Sequence, residues 1–486
     1  MSKNFYITTT LPYVNAEPHV GFAMEFIRAD AIARYKKLTG HEVFFNTGTD
    51  EHGLKLWQAA EKMGVPVKEY VDTYAEKFRG LAQLLDISPD VHFIRTTDPR
   101  HEAAAQALWK ICDERGYIYK DTYSAKYCVG CELEKTDSEL NDQGRCPLHP
   151  DRELELINEE NYFFALKKVA PILEELYKNN PTLVIPDFRF NEIKAFLARG
   201  LEDFSISRKK EKMPWGVTVP GDETQVMYVW FDALTNYIST LGWPATDGEY
   251  KKFWENGEKV QYCGKDNTRQ QSMTWQAMLL AAGLPPTDHI IINGFINSGG
   301  QKMSKSLGNV LAPGELIEEY ATVAGDLSTD VLRYYLLRHM NSFEDSDVSR
   351  ESLKEAYNAN LANGLGNLAS RILTLSEKYL PECPQIPEHS IPQEFFDLLE
   401  KFDIQKAADY VWNKIQALDK QIQETEPFKV VKVDEGKGKD LIGAQVIELY
   451  AIARMLNPLM PKTNVLLKDL IRKNKKPEKP LFLRKD

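Results

Sequence analysis

The chain has 486 residues, 43% hydrophobic and 27% charged, with a formal net charge of −11 and six cysteines. That length is too great for one core and points to about three domains of an ordinary globular protein. The acidic balance argues against wholesale coating of nucleic acid, the cysteine count against a disulfide scaffold, and the lack of a long apolar run or charged-then-apolar leader towards a cytoplasmic protein without membrane contact.

In chain order, residues 5–10 read as a buried strand and 22–38 as a helix. His19 stands where that helix begins. A helix start presents unpaired N–H groups and partial positive charge, which favour phosphate. His19 is therefore a candidate donor to a phosphate oxygen, with a capping or packing histidine as the plain alternative, and Gly21 permits close approach of a ligand such as a purine ring. A second strand, 43–46, runs into Thr47-Gly48-Thr49-Asp50, with a further helix from Leu54. Strand–helix–strand with short links predicts a right-handed parallel unit whose loops face the carboxyl edge, where α/β sheets bind ligands.

From about Tyr117 the pattern turns short and polar. Cys128-Val129-Gly130-Cys131 and Cys146-Pro147-Leu148-His149 give C-x2-C and C-x2-H across a 14-residue spacer. Nitrogen and sulfur ligands at that spacing suit a closed tetrahedral Zn²⁺ site, structural because no coordination position is left open. A helix is read over 161–177, strands over 226–230, 260–263 and 290–293, and a helix over 268–282. Lys302-Met303-Ser304-Lys305-Ser306 then follows in a loop flanked by Gly299, Gly300 and Gly308. Two lysines three apart there make a positive clamp for phosphates.

Beyond about Ser346, amphipathic stretches at 353–379, 391–424 and 441–455 predict a helical bundle, with 429–439 as a loop. The last 25 residues carry nine Lys or Arg against three Asp or Glu. This basic tail suits phosphate contact and equally a solvated chain end.

His19-Val20-Gly21-Phe22 and the Lys302 pentapeptide resemble the HIGH and KMSKS motifs of class I aminoacyl-tRNA synthetases. Thr10-Leu11-Pro12-Tyr13-Val14-Asn15, Thr47-Gly48-Thr49-Asp50-Glu51-His52-Gly53 and Tyr228-Val229-Trp230-Phe231-Asp232-Ala233 resemble the methionyl-tRNA synthetases, and the resemblance covers nearly the whole chain. It implies an α/β fold: a Rossmann-like nucleotide-binding parallel sheet split by a zinc-knuckle insertion and followed by an all-α helical anticodon-binding bundle. Residues 1–116 and 226–345 would be the catalytic halves, 117–225 the insertion with its knuckle at 128–149, 346–470 the bundle and 471–486 the tail. The implied activity is activation of methionine with ATP, then transfer to the 3′ end of tRNA(Met), initiator tRNA included.

By the same resemblance, His19, Lys302 and Lys305 are catalytic, and His19, Gly21, Asp266, Lys302, Ser304 and Lys305 hold ATP with its Mg²⁺. Asp266 has helix capping as its plain alternative. Leu11, Tyr13, Trp230, Ala233, Tyr237, Gln271 and Trp275 would line the methionine pocket, whose thioether suits aromatic neighbours, and Asp50 would receive the α-ammonium. Asn367, Arg371 and Phe428 would meet the anticodon. The sequence departs from the family pattern at Phe22 and Gln271, where a histidine is usual, at His149, where a cysteine is more frequent, and at Phe428, where a tryptophan is typical. Ending soon after Leu483, as members without an added dimerisation module do, the chain is expected to be a monomer.

Overall fold

Six strands assemble into one sheet in the order β3-β2-β1-β5-β6-β4: β1 (Asn4–Thr8), β2 (Glu42–Thr49), β3 (His92–Arg95), β4 (Val184–Ile185), β5 (Glu258–Gly264) and β6 (His289–Asn293). The pairs β1–β2, β2–β3, β1–β5 and β4–β6 run parallel. Consecutive residues Phe5, Tyr6 and Ile7 of β1 are all fully buried. A central parallel strand covered on both faces reads as such a continuous apolar run.

The structure, a computed structural model, describes residues 3–303, 309–387 and 391–486. The chain divides into two units: Met1–Glu17, His41–Gly80 and Asp90–Ile292 in the first, and Pro18–Gly40, Leu81–Pro89 and Asn293–Asp486 in the second. Besides the parallel sheet, the first unit holds a four-stranded antiparallel sheet built on the long pair Ile118–Cys128 and Glu155–Phe164, with Leu133–Lys135 and Phe204–Ser205 at its edges. Residues 161–164 are thus strand and not helix. Tyr162, Phe163 and Phe164 pair with Lys120, Tyr119 and Ile118, and the helix begins only at Leu166.

Two further expectations are corrected in this unit. Residues 226–230 are not one strand: Asp222–Met227 is a strand of a small antiparallel sheet, and Val229–Leu234 is helical after Tyr228. A five-residue apolar run carries no period long enough to separate the two states. The helix read over 268–282 is a wide-turn segment, Gln270–Trp275, continued by regular helix Gln276–Ala282 and ended at Gly283 with φ +72°.

The second unit begins with α1 (Val20–Leu38), capped by His19. Its Asp30 is fully buried against Arg333, at 2.8 Å, on helix Ser328–Arg338. The predicted bundle comprises Arg350–Ala356, Tyr357–Gly366, Asn367–Tyr379, Gln393–Glu400, Ile404–Thr425, Pro427–Val433, Glu435–Met455 and Pro461–Arg472. The loop expected at 429–439 is helix interrupted only at Asp434, whose carboxylate accepts the Lys437 N–H. Its polarity and lack of period misled the reading. A Cβ on Gly438 would meet Val431 Cα at 2.2 Å, so that glycine allows two helices to touch and does not mark a loop. Among the described residues no helix is long and apolar enough to cross a membrane.

Candidate active site and metal centre

In the first unit, the residues singled out follow the carboxyl ends of the strands: Leu11 and Tyr13 after β1, Asp50 after β2, and Asp266, Gln271 and Trp275 after β5. A short parallel bridge joins Tyr13 to Asp50, with the Asp50 N–H donating to Pro12 O at 2.9 Å and the Val14 N–H to Asp50 O at 3.2 Å.

Asp50 sits in an acidic stretch whose other members are engaged. Glu51 accepts from Arg95 at 2.7 Å and from Thr49 and Thr97. Asp232 lies between two histidines, 2.6 Å from His52 Nδ1 and 2.8 Å from His101 Nε2. Burial works to raise the Asp232 carboxyl, but His52 and His101 outweigh it and hold it at about 2. Burial likewise works against the His52 cation, and Asp232 overrides it, raising that ring above its ordinary value. Asp50 is different: it is only 7% exposed and its Oδ1 has no hydrogen-bond partner among the described residues. Burial first, then the nearby Asp232 and Glu132 charges, push its carboxyl well above the usual range. A carboxyl in such surroundings would be stabilised in its charged form by a neighbouring cation.

The aromatic residues gather a little further along. Tyr237 Oη accepts from Gln271 Nε2 at 2.5 Å, and its ring meets that of Trp275 edge-on with centroids 5.7 Å apart. Leu11 and Ala233 are buried, Trp230 is partly buried, and the indole N–H groups of Trp230 and Trp275 and the Gln271 Oε1 are buried without hydrogen-bond partners among the described residues. Gln271 therefore orients Tyr237 and leaves one acceptor over. Asp266 is exposed in the turn Lys265–Asn267, its Oδ1 lying where a Cβ on Gly264 would stand 2.7 Å away.

In the second unit, His19 Nδ1 accepts the Gly21 N–H at 3.1 Å and so caps α1. In neutral histidine, accepting at Nδ1 leaves the proton on Nε2, the donor a phosphate oxygen would need. A Cβ on Gly21 would lie 2.8 Å from His19 Cε1, so glycine lets the histidine ring fold back over the helix start. Phe22 packs against that ring at 4.5 Å between centroids, the two planes tilted by 35°. The pentapeptide begins in a hairpin, Ile296–Ser298 against Gln301–Lys302, turned by Gly299 and Gly300 at φ +64° and +71°. Asp347 accepts the Gly300 N–H at 2.9 Å and Asp345 the Phe295 N–H at 3.0 Å. Lys302 is placed by its backbone, and Ser304 and Lys305 lie outside the described residues.

Cys128, Cys131, Cys146 and His149 come together, all ligand atoms within 4.8 Å of one another. Cys131 Sγ lies 3.5 Å from Cys146 Sγ and 3.2 Å from His149 Nδ1, and Cys128 Sγ 3.8 Å from His149 Nδ1. Metal–sulfur bonds of about 2.3 Å at tetrahedral angles separate two sulfurs by roughly 3.7 Å, so the four fit a single metal ion. Each knuckle is a tight turn, Cys131 N–H to Cys128 O and His149 N–H to Cys146 O. Gly130 is required because a Cβ there would meet the His149 ring at 2.5 Å.

At the other end of the chain, Asn367 opens helix Asn367–Tyr379 and is exposed, and Arg371 one turn on pairs with Asp419 at 2.6 Å. Phe428 is 37% exposed at the start of helix Pro427–Val433. Sequence reasoning gave no role to Glu132, Asp232 or His101. The first could have been suspected as the acid directly after the second knuckle cysteine, whereas the pairing of His101 with Asp232 spans 131 residues and leaves no local signal.

The family described as tRNA synthetases class I (M) matches residues 5–154 and 150–373. The chain is 37% identical over 478 residues to a methionine–tRNA ligase of Fusobacterium nucleatum, covering 95% of this chain and 73% of that one. It is 38% identical over 476 residues to the methionine–tRNA ligase of Thermotoga maritima, covering 95% and 74%. Methionyl-tRNA synthetase of Mycobacterium tuberculosis bound by methionyl-adenylate superposes with a TM-score of 0.90 at 33% identity, over 99% of this chain and 100% of that one. Its apo form superposes with a TM-score of 0.85 at 30% identity, over 100% and 99%. A parallel sheet with its polar site at the carboxyl edge, followed by a helical bundle, is here that of a class I tRNA synthetase. Within that class, the chain belongs to the methionine–tRNA ligase family.

Proposed function

We propose that the chain activates methionine with ATP and transfers the methionyl group to the 3′ end of tRNA(Met), initiator tRNA included, acting as a cytoplasmic monomer. Family membership supports the reaction. The observation that carries the assignment of the amino-acid site is Asp50, a buried carboxyl with an unpartnered oxygen beside Tyr13. An α-ammonium there would gain a charge-assisted hydrogen bond and relieve the crowding of Asp50 by Asp232 and Glu132. Tyr237, Trp275, Trp230, Leu11 and Ala233 would then surround the thioether.

The chemistry asks for position and charge. The methionine carboxylate, ionised near neutral pH because such groups titrate near ~3.5, needs no general base. One of its oxygens forms a bond to the α-phosphorus, the bond from that phosphorus to the bridging oxygen breaks, and the electron pair leaves with pyrophosphate. In the second step a terminal ribose hydroxyl of tRNA attacks the carbonyl carbon and AMP departs. His19, donating from Nε2, and Lys302 and Lys305 would meet the growing negative charge. Gly21, Ser304 and Asp266 would hold the rest of ATP, whose Mg²⁺ arrives with the triphosphate. Cys128, Cys131, Cys146 and His149 would hold a structural Zn²⁺, which fixes the knuckle and takes no part in the reaction. Asn367, Arg371 and Phe428 would contact the anticodon, by hydrogen bonding and by base stacking of about 1–3 kcal/mol. In this reading residues 1–116 and 226–345 form the catalytic domain, 117–225 the insertion, 346–470 the anticodon-binding bundle and 471–486 a basic tail.

ATP–pyrophosphate exchange measured with each amino acid in turn tests the proposal. Exchange with methionine alone is expected. Exchange with no amino acid, alongside retained RNA binding, would overturn it in favour of an RNA-binding relative.

A further inference from the structure

Glu132 follows the second knuckle cysteine directly, yet its carboxylate hydrogen-bonds to Tyr13, Lys55 and Tyr127, and only 5% of the residue is exposed. Its backbone is left-handed, φ +53°, a conformation that a residue with a Cβ adopts at a cost and keeps only where its surroundings impose it. Those surroundings are four hydrogen bonds. Glu132 Oε1 accepts from Tyr13 Oη at 3.1 Å and from the Lys55 N–H at 3.0 Å. Oε2 accepts from Tyr127 Oη, and the main-chain carbonyl from Tyr228 Oη.

Tyr13 and Lys55 flank Asp50, Tyr13 through the short parallel bridge and Lys55 five residues along the chain. Gly53, between Asp50 and Lys55, has φ +115°, and a Cβ there would stand 2.6 Å from Tyr13 Oη and 3.2 Å from Glu132 Oε1. The chain has thus left room for that hydrogen bond. Burial and the Glu132 charge keep the Tyr13 phenol protonated, so it remains the donor. On the knuckle side, Lys55 Nζ also reaches Gly130 O at 3.4 Å.

We propose that Glu132 is a positioning residue for methionine: it ties the metal knuckle to Tyr13 and to the start of helix Leu54–Met63, and thereby fixes the wall of the pocket that holds Asp50. It touches no reacting atom and acts through Tyr13. The inference rests on the reading of Tyr13 and Asp50 as the amino-acid site. It locates the purpose of the insertion in amino-acid binding, not in ATP handling.

The test uses the full chain in ATP–pyrophosphate exchange, with zinc content and melting temperature measured on each variant. Wild-type exchange with methionine comes first, and its absence would defeat the functional assignment and not this inference alone. Given that exchange, Glu132→Ala should raise KM for methionine by ~10-fold or more, the scale of one lost charge-assisted hydrogen bond, with KM for ATP within about twofold. Glu132→Gln keeps an acceptor oxygen for Tyr13 and should restore KM for methionine to within about threefold. Tyr13→Phe removes the donor, and the double variant with Glu132→Ala should be no worse than the poorer single, the mark of one shared interaction. Unchanged KM for methionine in Glu132→Ala, equal rises for methionine and ATP, loss of zinc from that variant, or additive effects in the double variant would each overturn the proposal.

Discussion

Replacing Asp50 by Asn separates what the carboxylate does for the substrate from what it does for the fold. Asn fills nearly the same space but offers no charge to an ammonium. Breaking a buried ion pair by removing one partner costs roughly 3–5 kcal/mol. At about 1.4 kcal/mol per decade this lowers kcat/KM for methionine by roughly 10²- to 4 × 10³-fold. The effect on stability runs the other way. The folded-state carboxyl is raised well above its ordinary value by burial and by Asp232 and Glu132. Above the unfolded value the unfolded chain ionises Asp50 freely and the folded chain resists, so the native acid lowers stability there. Below the unfolded value, about 3.9, both states hold the proton and the deficit is gone. Asp50→Asn should therefore melt higher than wild type at pH 8, with the gap closing towards pH 4. Added methionine should raise the melting temperature of wild type and not of the variant. Pyrophosphate exchange against methionine concentration and melting curves at the two pH values read both effects. A variant that binds methionine normally, or that melts lower at pH 8, would refute the reading of Asp50 as an acid awaiting a cation.

Metal analysis should find one zinc per chain, and Cys131→Ser should lose it and lower the melting temperature, since the bound metal contributes folding energy directly. Lys305→Ala should cut pyrophosphate exchange by ~10²-fold or more, the scale of one charge-stabilising donor, and near-normal exchange would count against the clamp. Arg371→Ala should weaken charging of tRNA(Met) and leave pyrophosphate exchange unchanged. Its pair with Asp419 is partly exposed, and such a pair is worth roughly 0–1 kcal/mol, so loss of fold should not confuse the result.

The features legible from sequence were those written in local spacing. Cys128, Cys131, Cys146 and His149 could be assembled from two knuckles because each is four residues long and the ligand chemistry is restrictive. Four of the six strands of the parallel sheet showed themselves as apolar runs such as Phe5-Tyr6-Ile7, whereas the short edge strands His92–Arg95 and Val184–Ile185 were not read. What escaped was set by partners distant in sequence. Tyr162-Phe163-Phe164 looked like a helix start until Tyr119 and Ile118 claimed it for a sheet, and the polar, aperiodic stretch 429–439 looked like a loop although it folds as two helices in contact at Val431 and Gly438. Asp50, Glu51 and Asp232 are all acids in recognisable motifs. Only the placement of Arg95, His52 and His101 shows that Glu51 and Asp232 are paired, while the Asp50 Oδ1 has no hydrogen-bond partner among the described residues.

Arg28 extends this reasoning to the second unit. It lies on α1, nine residues after the cap His19, and is buried. Its guanidinium donates to Asn293 Oδ1 at 2.8 Å and to the carbonyls of Met340, Asn341 and Ser342 at 3.2, 2.6 and 3.0 Å. Those partners bracket the hairpin that leads into Lys302: Asn293 lies just before it, and Asn341 is followed at once by the segment whose Asp345 and Asp347 accept backbone N–H groups there. A guanidinium has five donors in a fixed plane and satisfies several carbonyls at once, whereas an ammonium on a flexible stem does not hold them in register. Arg28 therefore works as a brace. It ties the helix that presents His19 to the base of the loop that carries Lys302, leaving the tip of that loop to the turn at Gly299 and Gly300. Two segments far apart in the sequence, the start of α1 and the hairpin at Lys302, are in this way mounted on one frame.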